Sequence, residues 1–199
     1  MAPFEGEAAR FTFKREDVLN KAMQVFWTQG YEATSVDDLV EATGLVRQSI
    51  YNTFGNKHNF YLETLGHYQE FLGARMLGAL KHAPSVKESF RQLFELVIED
   101  AVSDTTRRGC MMVNAATELA SRDSAVCKLT AEAEVAKERF FAELIRAAQA
   151  RGEVSGSKDP DALAKFLYNT VLGLRVRATQ GPTRAELEPI VEASLSLLD

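Results

Sequence analysis

Apolar residues recur at helical spacing along almost the whole chain, and no segment alternates in the two-residue period of a half-buried strand. The clearest pattern lies at residues 34–58, TSVDDLVEATGLVRQSIYNTFGNKH. Ser35 is placed to cap a short helix, with Asp38 three positions on as its capping-box partner. Val36, Leu39 and Val40 form the apolar stripe of that helix. Gly44 falls where the chain must turn sharply, at a position suited to a residue that tolerates positive φ. A second helix is predicted over Arg47–Phe54. At about 100° per residue, Val46, Ile50 and Phe54 point inward, while Gln48, Ser49, Tyr51 and Asn52 spread over an outer polar face. A helix, a glycine turn and a second helix of this kind have the layout of a DNA-reading helix-turn-helix.

The same periodicity organises the rest. The first helix is predicted at Lys14–Gln29, with Val18, Ala22, Val25 and Phe26 on one face and Gly30 ending it. A long helix follows over Lys57–Lys81, broken by Pro84. Ser85 and Glu88 start the next, which carries Phe90, Leu93, Phe94, Val97 and Ile98 inward. Asp104–Arg108 reads as a polar loop, followed by helices at Cys110–Ala120 and Ser124–Arg151. Gly152–Lys158 reads as the clearest linker. Asp159-Pro160 is a cap followed by proline at the first helical position. That helix places Leu163, Phe166, Leu167, Thr170, Val171 and Leu174 on one stripe. The last starts at Thr183, with Glu186 completing a capping box, and carries Leu187, Ile190, Val191, Ser194, Leu195 and Leu198. The expected fold is all-α with nine helices, three in an N-terminal unit (1–56) and six in a larger C-terminal bundle (57–199), the fourth helix running from one into the other.

Composition narrows the class. With 199 residues, 46% hydrophobic and 26% charged, the chain has the make-up of a soluble globular protein with a sizeable core. No run approaches the roughly 18–20 apolar residues that span a bilayer, and the N-terminus lacks a signal-peptide core, so a cytoplasmic location without membrane association is expected. Two cysteines, Cys110 and Cys127, are too few for a disulfide scaffold or a cysteine zinc site. The three histidines lack metal-ligand spacing, and there is no phosphate-binding glycine loop. No enzyme, metal or cofactor is expected.

The net charge of −5 works against DNA affinity, most of which comes from phosphate neutralisation. The local balance is better: between Ala42 and His58 the charged residues are Arg47 and Lys57, and Arg10, Lys14 and Arg15 precede or open the first helix. Arg47 and Gln48 suit bidentate contact with guanine or adenine edges. Lys57, at a helix N-terminus, is placed to act with the helix dipole on one phosphate.

Several spaced residues together resemble the TetR family of bacterial transcriptional regulators: Ala22, Phe26, Gly30 and Tyr31 in an AxxxFxxxGY pattern, then Thr34–Leu39, Gly44, and SIYNTFGNK from Ser49 to Lys57. Val46 stands where the family often has a Ser or Thr cap, and Gln48 where glycine is common. The resemblance implies base contacts from Ser49 and Tyr51 as well. It implies phosphate contacts from Tyr51, Asn52, Lys57 and the helix start at Thr34 and Ser35. It further implies a homodimer built on the last two helices (Phe166, Thr170, Gly173, Leu174, Leu187, Ile190, Val191, Ser194, Leu195) that reads a palindromic double-stranded operator. An effector pocket is implied in the larger unit, with His67, Phe71, Met111, Asn114, Glu118, Phe140, Tyr168 and Asn169 as candidate lining.

Cys110 follows Arg107, Arg108 and Gly109 at a predicted helix N-terminus, two features that favour the thiolate. GCMMVN also resembles the GCLxVN-type segment of a TetR subgroup that includes electrophile- and oxidant-sensing repressors. Cys110 is thus a redox-sensing candidate, with a buried hydrophobic cysteine as the plainer reading, and Cys127 a possible resolving thiol. The expected function is a repressor released by a small-molecule or electrophile effector. The rival is a small-molecule or lipid carrier on the same scaffold without DNA binding.

Overall fold

The computed structural model describes residues 14–80 and 83–199. Among them are nine α-helices and no strand: α1 (Arg15–Gln29), α2 (Val36–Thr43), α3 (Arg47–Phe54), α4 (Lys57–Leu80), α5 (Val86–Ser103), α6 (Met111–Leu119), α7 (Ser124–Ala150), α8 (Pro160–Arg177) and α9 (Arg184–Leu195). Short 3-10 turns follow α8 and α9. Arg10, and Lys81 at the expected end of the fourth helix, lie outside the described residues.

The polar signals that predict helix starts are satisfied in atomic detail. Ser35 Oγ accepts from the Asp38 amide and Asp38 Oδ2 accepts from the Ser35 amide, the reciprocal capping box. At α9 Glu186 Oε2 accepts from both the amide and the hydroxyl of Thr183, at 2.8 Å each. Asp159 accepts from the Asp161 and Ala162 amides with Pro160 at the first helical position. At α5 only half a box forms, Ser85 Oγ accepting from the Glu88 amide. Gly44 adopts φ +75° and ψ 8°, the left-handed turn that separates α2 from α3.

In the N-terminal unit, α1 packs on α2 and α4, and α3 closes the third side. Its core is aromatic. The Phe54 and Phe60 rings stack with centroids 3.8 Å apart, and Phe26 meets Tyr61 edge-on at 4.9 Å. α4 carries Phe60, Tyr61 and Leu65 into this core, and Tyr68, Leu72 and Met76 into the larger bundle. There α5 packs on α4, α8 and α9, and α7 lies along α8. Phe90, Phe141 and Tyr168 meet edge-to-face at the centre of the bundle. The buried residues of both units form one continuous cluster.

Three expectations are corrected. Val46 does not point inward: it is the N-terminal flank of α3, 66% exposed, and makes no side-chain cap. Gly152–Lys158 is no loose linker. Val154 is buried in it, Gln149 Nε2 donates to the Ser155 and Lys158 carbonyls, and Glu153 accepts from the Val86 amide at 2.8 Å. Of the stripe assigned to a dimer interface, Leu174, Leu187, Val191, Ser194 and Leu195 are buried within the subunit. The stripe of each helix is wide enough to be divided. One flank packs inward on α5, and only Phe166, Thr170, Gly173 and Ile190 are left with exposed or half-buried surface.

Candidate DNA-reading face and effector cavities

Ile50 and Phe54 anchor α3 to the core, which turns Arg47, Gln48, Tyr51 and Asn52 to solvent, with Ser49 half-buried beside them. Gln48 Nε2 donates to Asn52 Oδ1 at 2.8 Å, so one amide is preset by the next turn of the helix. Arg47 pairs with Asp37 of α2, a bond that a phosphate or base edge would have to replace. Ser35 spends its hydroxyl on the capping box, which leaves the helix start, rather than a free side chain, to face a phosphate.

Two of the expected phosphate contacts have structural duties. Thr34 is 1% exposed and its hydroxyl donates to the Gly30 carbonyl at 2.6 Å, so its side chain is withdrawn from the surface. Lys57 Nζ donates to the Tyr31 and Thr34 carbonyls at 2.9 and 2.8 Å and sits 4.2 Å from the Tyr31 ring centroid. The ammonium therefore stitches α4 to the turn before α2, with one N–H left for an outside acceptor.

The candidate pocket residues disperse. Of the eight, Tyr168 alone lines the buried cavity of the bundle, which is formed by α4–α8 and includes Cys110, Met112, Thr130, Glu134, Lys137 and Arg175. Phe71 lines a separate outer cleft, and the other six do other work. Glu118 is turned to the N-terminal unit, accepting from the Tyr31 and Glu32 amides at 3.1 and 2.9 Å. Asn114 Nδ2 donates to the Arg108 carbonyl, and Asn169 Nδ2 to the Lys165 carbonyl of its own helix. The His67 Nε2 lies 2.7 Å from Asn20 Oδ1 on the surface, and Met111 is plain core. Phe140 borders a shallow groove. Helical spacing reports which side of a helix is apolar, but not which of several neighbours that side meets.

Cys110 is 4% exposed, at the N-terminal flank of α6, and its Sγ accepts from the Tyr68 hydroxyl at 3.5 Å. Burial pushes the Tyr68 phenol far up, with Cys110 adding to the shift, so Tyr68 stays a donor at any physiological pH. The arginines next to Cys110 in sequence do not face it. Arg107, at φ +55°, runs alongside Gly181. Arg108 donates to Asp104 and to Gln24 Oε1 and lies over the Trp27 ring at 4.2 Å. The cations that share the thiol's cavity are Lys137 and Arg175. Burial pushes the Lys137 ammonium below the usual lysine value, with Cys110 and Glu134 acting in the opposite direction. A signal for both exists in the sequence: Arg175 stands four residues after Val171 and seven after Tyr168, a charge on an otherwise buried stripe. Lys137 stands likewise after Ala133 and Thr130. Cys127 is on the solvent side of α7 while Cys110 is buried, an arrangement that gives no support to a resolving role.

A set of polar links joins the two units. Besides Glu118, Arg122 pairs with Glu32 at 3.1 Å and the His58 ring lies 2.6 Å from Asp123. Asp123 also caps α7, accepting from the Ala125 and Val126 amides. Burial disfavours its charge, but the Val126 amide and His58 outweigh that and hold the carboxyl below its usual range. Gly30, at φ +80°, lets the chain pass close to Glu118; a β-carbon there would stand 3.0 Å from Glu118 Oε2.

A capped helix-turn-helix, continuous through one long helix with a larger helical bundle, has the architecture of a DNA-binding transcriptional regulator. The chain belongs to the TetR family. Residues 18–64 match the model for "Bacterial regulatory proteins, tetR family", and 87–192 match "Tetracyclin repressor-like, C-terminal domain". It is 32% identical over 186 residues to the HTH-type transcriptional repressor ComR of Escherichia coli strain K12, covering 93% of this chain and 89% of that one. It is 33% identical over 185 residues to the HTH-type transcriptional regulator YezE of Bacillus subtilis strain 168, covering 92% and 94%. Among solved structures, a cysteine mutant of the TetR family regulator CifR, complexed with 26-bp double-strand operator DNA, superposes with TM-score 0.84 and 32% identity over 94% of this chain and 98% of that one. The family is one of regulators rather than enzymes. No helix among the described residues is long and apolar enough to cross a membrane.

Proposed function

We propose that the protein is a cytoplasmic, homodimeric repressor that reads a palindromic operator through α3 and releases it when an effector binds the larger unit or Cys110 is modified. The observation that carries the reading is the α3 face itself. Ile50 and Phe54 lock the helix, and Arg47, Gln48, Tyr51 and Asn52 are left outward on a capped, tightly packed frame. A carrier would have no use for such a frame. One eight-residue helix reads few bases, so specificity calls for two copies set on successive major grooves. The exposed flank of α8 and α9, with Phe166, Thr170, Gly173 and Ile190, is the surface for that pairing, and the small Gly173 permits close helix approach. The N-terminal unit (1–56) then acts as the reader and the remainder as the sensing and dimerisation unit.

Release is a population shift: the effector must prefer the form in which the two α3 helices no longer match both half-sites. A hundredfold fall in operator occupancy needs a preference of roughly 2.7 kcal/mol. Cys110 is suited to this role because its sulfur is hydrogen-bonded to Tyr68 of α4, the helix that continues into the reader. Adding any group to the buried sulfur costs that bond and the space around it.

The test is DNA binding of the wild type and Cys110→Ser, before and after N-ethylmaleimide or diamide, on a site selected from random duplexes. Release by the wild type and retention by the mutant establish thiol sensing. Retention by both makes Cys110 core and leaves the reversible effector. Failure to bind any duplex overturns the regulator role and returns the carrier.

A further inference from the structure

The two cavities of the sensing unit differ in what they can hold. The buried one next to Cys110 has only about 30 Å³ of free space, enough for ordered water and little more. The outer cleft encloses about 490 Å³, the size of a small-molecule site. It lies between α1, α4, α5, α8 and the Asp104–Gly109 loop, so that both units contribute walls. Leu72 and Arg175 line both cavities, and Tyr68, which bonds Cys110, lines the outer one.

The charges of this cleft are unbalanced in one direction. Asp100 accepts a bidentate pair from Arg75 at 3.1 and 2.7 Å and also a bond from Arg175 Nη1 at 2.8 Å, so two guanidinium groups share one carboxylate. Arg175 is 6% exposed, and among the described residues Asp100 is its only hydrogen-bond partner. Arg108 and Asp104 cancel across the loop. The rest of the lining is Leu72, Ser103, Thr105, Thr106, Gly109 and the rings of Trp27, Tyr68 and Phe71, of which Phe71 is the exposed one.

We propose that this outer cleft is the effector site and that it takes a small organic carboxylate, its anion on Arg75 and Arg175 and its apolar body against Phe71, beside Trp27 and Tyr68. A second positive charge set in a largely buried wall is stabilised by an anion that completes the pairing. The aromatic walls favour an anion with an apolar body over inorganic phosphate. Occupancy is felt at the reader because Arg108, which borders the cleft, holds Gln24 Oε1 at 2.7 Å and covers the Trp27 ring, both on α1. The link to operator release rests on the repressor reading above; the binding itself does not.

Trp27 is the one tryptophan of the chain, so its emission reports the cleft directly. The full chain is titrated with benzoate, phenylacetate and cinnamate, with benzamide and inorganic phosphate as controls, and each is then added to the protein bound to its selected duplex. Saturable change of Trp27 emission by at least one carboxylate is expected, with benzamide and phosphate at least tenfold weaker. Arg75→Gln, at a partly exposed side chain, is expected to weaken binding at least tenfold while the protein stays folded, because Asp100 keeps its bond from Arg175. Glu132→Ala, on the exposed face of α7 away from the cleft, is expected to bind as the wild type does. Silence towards all three carboxylates, equal affinity for benzamide or phosphate, or indifference to Arg75→Gln overturns the proposal. If emission responds but no duplex is bound, the repressor reading fails and the carboxylate site stands; if a duplex is bound and emission is silent, the reverse holds.

Discussion

The Glu118 carboxylate of α6 accepts the backbone amides of both Tyr31 and Glu32, at 3.1 and 2.9 Å, and so clasps the turn between the first two helices of the reader. Both amides precede α2 and have no helical partner of their own. The carboxylate supplies one, and in doing so ties the helix-turn-helix to the larger bundle. Arg122–Glu32 and His58–Asp123 reinforce the same seam.

Glu118→Ala removes the acceptor from two amides. A loss of about 1–3 kcal/mol in unfolding free energy is expected, towards the low end because Glu32 is exposed. Operator affinity should fall further than that of a surface control such as Glu132→Ala. Denaturant melts and duplex titrations measure the two effects; equal operator affinity in both variants would show that the clasp does not orient the reader.

Lys57→Met is expected to destabilise the fold by about 1–3 kcal/mol, because the Tyr31 and Thr34 carbonyls lose a charged donor. A residue serving DNA alone would lower affinity and leave the melt untouched. Gln48→Ala should behave in that second way. Its loss should cost about 1–3 kcal/mol of discrimination at one base pair with no change in melting.

Acid should loosen the protein through Asp104 and Asp123. Burial raises both carboxyls, but hydrogen bonds from the Thr106 hydroxyl and Arg108 amide at Asp104, and from the Val126 amide and His58 at Asp123, bring each net below its usual range. A depressed folded-state pKa gives stability that is complete above the unfolded carboxylate pKa and is lost as pH falls through the folded one. Unfolding free energy should therefore decline below about pH 4, and Asp123→Asn should shrink the slope, as chemical denaturation across a pH series would show.

The two flanks of α8 and α9 should separate under mutation. Leu187→Ala and Leu195→Ala, both 0% exposed, are expected to cost about 2–5 kcal/mol of folding free energy. Phe166→Arg, at a residue 51% exposed, should leave folding of the subunit intact and break self-association, read by light scattering. A fully associated Phe166→Arg protein would place the interface elsewhere.

What the sequence determined by itself is local. Helix starts and stops are set by neighbours a few residues apart: Ser35 with Asp38, Thr183 with Glu186, Pro160 after Asp159, and the left-handed Gly44. The apolar period that places Phe26, Ile50 and Phe54 inward is equally local. That is why all nine helices, the turn and the outward face of α3 were legible along the chain. Val46 escaped because it lies at the end of the helix, where the turn and not the period sets direction. The partners of a side chain were decided only by tertiary structure. Glu118 meets Tyr31 across 87 positions of sequence, and Arg175 meets Asp100 across 75. Nothing near Glu118 in the chain marks it as a clasp, and Arg107 and Arg108, adjacent to Cys110, turn away from it while Lys137 and Arg175 come from two other helices. Periodicity names the face of a helix, but the packing of whole helices chooses what that face touches.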